Sequence, residues 1–276
     1  MNNKPLYITT FNRKLYDATG KNMINSFVNT MTEGNMLICY EDNETGLRRE
    51  LKKQLGQEAG VVKLSTGQNF YLFDITHDPT LRKWTEDNAD IIPSEYGGRC
   101  ETFGNLIKNK YGTNFNRQTA RWFRKIITII YATGKEVPQH ELTVLLDCDT
   151  IFTQHLPYSI ILSALGNNEV LIHLGEHKIR RDMGVEAGFL VFKQNSMFPR
   201  LVIDCYMSGD FKRFIRWDDG YVYKKILEEN PNIKVIDVVQ PHIEQVGGHV
   251  ICHGPFRDYV QHLKGIHSRS GLVVKN

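Results

Sequence analysis

Cysteine is scarce and scattered: Cys39, Cys100, Cys148, Cys205 and Cys252 are odd in number, far apart and without a CxxC pair. That pattern argues against a disulfide framework and a structural zinc site, and it suits a reducing compartment. Long apolar runs are missing as well. Nothing approaches the roughly 20 residues needed to cross a bilayer, and the opening MNNKPLYITT lacks the apolar core of a secretion signal. The chain therefore reads as a soluble, cytoplasmic protein with no membrane partner. No Pro-rich, Ser-rich or repetitive stretch divides it, so neither a linker nor an internal repeat is expected. Charge of one sign is also lacking: a net charge of +3 and a pI near 8.5 permit a polyanionic partner without requiring one. A Walker A string, a GxGxxG turn and a G-x-S-x-G elbow are all absent, which lowers the odds of kinase, dehydrogenase and serine-hydrolase chemistry.

What is present is a chain of 276 residues, 41% hydrophobic and 24% charged, enough for one large domain or two closely packed lobes. Short apolar strands alternate with amphipathic helices. The segments 5–11 (PLYITTF), 35–42 (NMLICYED), 68–75 (QNFYLFDI), 169–175 (EVLIHLG), 186–195 (EAGFLVFKQN) and 233–239 (IKVIDVV) read as strands. Helices are expected over 17–31, where Met23, Phe27 and Met31 recur every fourth residue, and near 197–209 and 218–230. The strongest helical pattern is 117–134 (RQTARWFRKIITIIYATG), closed by Gly134. The polar stretch 76–116 suggests short helices and a loop. Such interleaving predicts an α/β sandwich around a mixed, mainly parallel sheet, whose ligands sit beyond the carboxyl ends of strands.

One strand ends unusually. In LTVLLDCDTIF (142–152), Asp147 and Asp149 stand one residue apart between Leu, Val and Leu on one side and Ile151 and Phe152 on the other. Two adjacent carboxylates repel each other and resist desolvation unless a cation, donors or water receive them. A solvated turn or helix cap is the ordinary explanation of an Asp pair. The apolar flanks weigh against it here, and hard carboxylate oxygens suit Mg²⁺ or Mn²⁺ bridging the phosphates of a nucleotide.

VLLDCDTIF resembles the Asp-x-Asp strand of nucleotide-sugar glycosyltransferases of the GT-A fold. Further strings follow in that family's order: YITTFN (7–12) is similar to its first strand and nucleotide-binding turn, and ARWFRKIITIIYA (120–132) to its basic helix. EAGFLVFKQ (186–194) is similar to its "NaGvlvf" strand, with Glu186 where Asn is usual. WDDGYVYKKIL (217–227) resembles its acidic helix start, and QHLKGIHSR (261–269) its "HykG" string. The resemblance implies a single GT-A-like domain over 1–276, binding a nucleotide diphosphate sugar, UDP-linked by preference, with Mn²⁺ or Mg²⁺.

It also implies roles. Asp147, Asp149 and His262 would hold the metal, with His253 as the competing histidine, and an imidazole ligand favours manganese. Lys264, Gly265 and His267 would bind the diphosphate. Arg121, Arg124 and Lys125 would offer one or more cations to donor phosphate or sugar. Thr9, Thr10 and Phe11 would approach the nucleoside, Asp74 the base or ribose, and Cys148 and Gly188 would border the donor. Of Asp218 and Asp219, one would cap a helix and the other face the reacting sugar, with Glu186 nearby as a third catalytic candidate. Trp217 would pack either on a ring of the substrate or in the core. Compact members of this kind include viral enzymes that glycosylate hydroxymethylated DNA bases, and Arg180, Arg181, Lys212, Arg213 and Arg216 would then meet DNA phosphates, in a host cytoplasm. A saccharide or protein acceptor is the second reading. A metal-dependent nucleotidyltransferase and a non-catalytic nucleotide-binding module are the rivals from other classes.

Overall fold

The computed structural model describes residues 4–43, 45–55, 61–63, 67–91, 118–174, 185–238 and 254–263. The chain opens with β1 (Leu6–Asn12), a short α1 (Arg13–Leu15), a π-helical turn (Tyr16–Gly20) and α2 (Lys21–Thr30). Next come β2 (Asn35–Glu41), α3 (Leu47–Gln54), β3 (Val61–Lys63), β4 (Asn69–Asp74) and α4 (Pro79–Asp87). The second half supplies α5 (Thr119–Thr133), β5 (Leu142–Leu146), β6 (Thr150–Phe152), α6 (Tyr158–Leu165), β7 (Val170–His173) and β8 (Glu186–Lys193). It ends with α7 (Met197–Ser208), α8 (Asp219–Glu229), β9 (Val235–Asp237) and β10 (Val260–His262).

Eight strands form one sheet in the order β3-β4-β2-β1-β5-β8-β7-β9, and β10 pairs with β6 in a second, two-stranded sheet. β4, β2, β1 and β5 run parallel, β8 reverses, and β7 and β9 run parallel to each other. This is the mixed, mainly parallel sheet expected of the pattern. Because β8 is antiparallel to both β5 and β7, the carboxyl ends of β1, β2, β4, β5, β7 and β9 share one edge with the beginning of β8. Chain connections diverge on either side of β1, the kind of switch point where open α/β sheets bind ligands.

Both faces of the sheet are covered, which is why its central strands read as continuous apolar runs rather than alternating ones. On one face Leu142, Val144 and Leu146 pack with Met23, Phe27, Leu47, Leu51, Ile161 and Leu165 from α2, α3 and α6. On the other, Leu145, Leu190 and Ile172 pack with Trp84, Phe123, Val202 and Tyr223 from α4, α5, α7 and α8. Trp84 stacks on Phe123 at 4.0 Å and donates its indole N–H to Tyr206 O, so α4 is tied to α5 and α7 together. The helix expected over 17–31 in fact starts at Arg13 and passes through the π turn. No strand or helix was expected at β3, β6, α6 or β10. Three of them are strands of three residues, too short for a periodicity to register.

Candidate metal and donor site

The site lies on the carboxyl edge, in the tight turn that joins β5 to β6. Asp147 follows directly on Leu146, its N–H donating to Gly188 O at 2.9 Å, and its own carbonyl accepts from Thr150 N at 3.0 Å. The turn therefore holds both carboxylates at the sheet edge. Leu263 N donates to Asp149 O at 2.8 Å and His262 lies opposite Thr150 in the β10–β6 ladder, which brings the far end of the described chain onto the Asp pair.

His262 Nε2 stands 2.9 Å from Asp149 Oδ1, and ligand atoms of Asp147, Asp149 and His262 all lie within 4.8 Å of one another. Asp149 Oδ1 is buried and accepts no hydrogen bond of good geometry among the described residues. A buried anionic oxygen left in that state is costly unless a cation completes it. Two carboxylate oxygens and one imidazole nitrogen are a donor set that Mn²⁺ accepts readily, and Mg²⁺ less so. The residues present thus fit a divalent ion, and they are the three singled out in the sequence. His253 lies outside the described residues.

Behind Asp147 sits Lys125 of α5. Its ammonium is 2.6 Å from Asp147 Oδ1 and 2.6 Å from Asp219 Oδ2, bridging the β5 turn to the start of α8. Burial opposes the charge, yet the two carboxylates outweigh it and hold Lys125 well above the ordinary lysine range. Of the three cations considered on this helix, Lys125 is the one brought to the site. Arg124, one residue away, is buried and grips both carboxylate oxygens of Glu41 on β2 while donating to Ala120 O at 2.6 Å. Its guanidinium cross-links α5 to β2. Arg121 is exposed and bonds Gln118 Oε1 at 2.8 Å.

The two acidic residues at the start of α8 divide their work. Asp218 is the N-cap, accepting from Tyr221 N, and it forms a bidentate pair with Arg216 at 2.8 and 2.9 Å. Burial pushes its carboxyl up to about 6 even against the neighbouring guanidinium. Asp219 reaches Lys125. Of the two, Asp218 is thus the expected cap, and Asp219 is the carboxylate that faces Lys125. Gly220 follows because a Cβ there would lie 2.4 Å from Val185 O.

Glu186 opens β8, its Oε1 accepting from Gly188 N at 3.2 Å. A Cβ on Gly188 would lie 3.0 Å from Asp147 Oδ2 and 3.1 Å from Glu186 Oε1, so both carboxylates close on the same bare backbone. His173, at the end of β7, is opposite Glu186 in register and pairs through Nδ1 with Asp237 Oδ1 at 3.0 Å. Neither His173 nor Asp237 was marked in the sequence, although a histidine at the end of an apolar strand on this edge was signal enough.

The Phe11 ring is buried against Tyr16 and Gly20, so its face is not open to a nucleoside. Thr9 and Thr10 keep buried hydroxyls that make no hydrogen bond among the described residues. Asp74 spends its Oδ1 on Thr76, within its own turn. Cys148 is a buried core residue 3.7 Å from Thr19 Oγ1; mainly burial pushes its thiol up to about 12, which suits a filler rather than a donor contact. Trp217 bonds Phe214 O through its indole N–H and packs edge-on to Phe211, on the core side of its two readings. Arg216 is buried on Asp218 and does not face outward, whereas Lys212 and Arg213 are exposed, Arg213 being paired with Glu229. Lys264, Gly265, His267, Arg180 and Arg181 lie outside the described residues.

Fold and edge together define an α/β protein of GT-A type, with an acidic turn on the carboxyl edge of the parallel strands. Among solved structures the chain is similar to mouse xyloside xylosyltransferase 1 in its apo form, with a TM-score of 0.51 at 11% identity, covering 84% of each chain. It also matches the glycosyltransferase GlyE of Streptococcus pneumoniae TIGR4, with a TM-score of 0.43 at 12% identity, covering 86% of this chain and 45% of that one. No family model matches the chain, and no curated protein does. No helix among the described residues is long and apolar enough to cross a membrane.

Proposed function

We propose that the chain is a metal-dependent glycosyltransferase, moving a sugar from a nucleotide diphosphate sugar to an acceptor hydroxyl. The observation that carries this reading is the convergence of Asp147, Asp149 and His262 on one edge, with Lys125 and Asp219 directly behind. When bound, a divalent ion would offset charge on the departing diphosphate. Asp147, Asp149 and His262 would hold it, and the nitrogen ligand makes manganese the first choice. Lys125 and Asp219 form a fixed donor and acceptor pair suited to sugar hydroxyls. In the transfer, the acceptor oxygen bonds the anomeric carbon while the bond from that carbon to the diphosphate oxygen breaks, releasing nucleoside diphosphate and a proton. Glu186 and Asp219 would take that proton or stabilise positive charge on the sugar. A UDP-sugar is the donor to try first, and a hydroxymethylated base in viral DNA the acceptor.

The test is a thermal-shift and turnover panel of nucleotide sugars with and without Mn²⁺, on the parent chain and on Asp149→Asn. The parent chain should be stabilised by ion and donor together and release nucleoside diphosphate. The variant should melt normally and lose both responses. Full metal-stimulated turnover by the variant would end the proposal, and release of pyrophosphate would transfer the site to nucleotidyl chemistry.

A further inference from the structure

Positive charge is concentrated on one surface of the chain. Residues 13–21 and 47–54 carry seven basic side chains against two acidic ones, a surplus of five in a chain whose total surplus is three. The rest of the molecule is therefore net acidic. The two stretches form one platform: Tyr16 OH donates to Gln54 Oε1 at 2.7 Å, and Gln54 Nε2 donates to Lys21 O at 2.9 Å, so the π turn and α2 lie beside α3. Both acids of the platform are consumed by one residue, since Arg13 pairs with Asp17 at 2.8 Å and with Glu50 at 2.6 Å. The nearby Asp42 is spent on the N-terminus of α3, accepting from Leu47 N and Arg48 N. Lys14, Lys21, Arg48, Arg49 and Lys53 meet no carboxylate at ion-pair distance among the described residues.

Resting on the proposed transfer, we infer that this α1–α3 platform is where the acceptor docks, and that the acceptor is carried on a nucleic-acid backbone. Phosphates at regular spacing are the partner that a platform of separate, uncompensated cations recognises, with base identity left to another part of the protein. An anionic membrane suits it less well. The apolar residues Leu47 and Leu51 of α3 are buried in the core, and Leu15 is the one large apolar side chain exposed in these stretches, too little to anchor a helix in a bilayer. The platform also leads to the right place: Thr19, in the π turn, touches Cys148 between the two metal-site aspartates. A strand held by Arg48, Arg49 and Lys53 is therefore delivered to the β5–β6 turn.

The experiment measures binding of a fluorescent DNA duplex, and of its single strand, across a salt series. It compares the parent chain, Arg48→Gln/Arg49→Gln/Lys53→Gln, Lys14→Gln/Lys21→Gln, and the charge-keeping Arg48→Lys/Arg49→Lys. Vesicles of phosphatidylserine and phosphatidylcholine form the competing arm. Each lost cation should flatten the plot of log affinity against log salt by about 0.9 for duplex DNA, so the triple variant should lose about 2 to 3 from the slope and bind at least tenfold more weakly. Arg48→Lys/Arg49→Lys should bind like the parent chain. Donor hydrolysis to water, measured without DNA, should be unchanged in every one of these variants, and Asp149→Asn should bind the duplex normally while hydrolysing nothing. An unchanged slope in both charge-removing variants, no nucleic-acid binding by the parent chain, or binding to vesicles in preference to DNA would each overturn the assignment. Failure of donor hydrolysis in the parent chain would instead strike at the transferase reading.

Discussion

A hydrogen in place of a methyl group at Gly188 is what lets Asp147 and Glu186 come together. Gly188→Ala should push Asp147 Oδ2 a few tenths of an ångström off its position, since the new Cβ would start 3.0 Å from it. A displacement of that kind beside a metal ligand costs about 10- to 100-fold in metal affinity, and calorimetric titration with Mn²⁺ should record it. The melting temperature should hardly move. Equal affinity in the variant would mean that Asp147 is not held from this side. At this scale the Asp pair was legible because carboxylates inside an apolar run have few harmless explanations. Phe11 and Cys148 were not, because nothing in a string of letters says whether an apolar side chain at a strand end turns to the ligand or to the core. Here both turn to the core.

Among the elements, α5 does two jobs with neighbouring residues. Arg124 and Lys125 differ by about 100° around the helix axis, so one faces Glu41 of β2 while the other faces the β5 turn. The sequence marks both as basic residues of an amphipathic helix. Which of them reaches the site depends on how Phe123, Ile126 and Ile127 rotate the helix onto the sheet, a matter of packing that propensity does not report. Arg124→Met should strand a buried Glu41 and cost about 3–5 kcal/mol in a denaturant titration. The double variant Arg124→Met/Glu41→Gln should recover most of that loss, because no buried charge is then left alone. If the single variant costs less than 1 kcal/mol, the pair is solvated and the cross-link is not what fixes α5. The same limit applies to α8: an acidic pair before a helix announces a cap, but only the folded chain shows that Asp218 caps and Asp219 faces Lys125.

For the whole molecule, alternation of strands and helices made the layered α/β architecture readable. The strand order was not readable, because β8 is as apolar as its neighbours whichever way it runs. The union of β10 with β6 was equally hidden, since three residue pairs leave no periodic trace. That union nevertheless completes the site, and ladders so short open easily. Adding Mn²⁺ should therefore slow amide exchange at residues 260–263 by more than tenfold, with Leu263, bonded to Asp149 O, among the most affected. Asp149→Asn should abolish the protection. Ion binding without any slowing there would place His262 outside the coordination sphere.

The position of β10 has a temporal consequence. Asp147 and Asp149 emerge during translation more than a hundred residues before His262, so a growing polypeptide holds two of the three candidate ligands through a long stretch of its synthesis. Tight capture of the ion must wait until the ribosome has delivered the last of them. A nascent chain stalled before residue 260 should consequently be unable to hoard manganese, and the protein would take up an ion only once the rest of its architecture exists to use it.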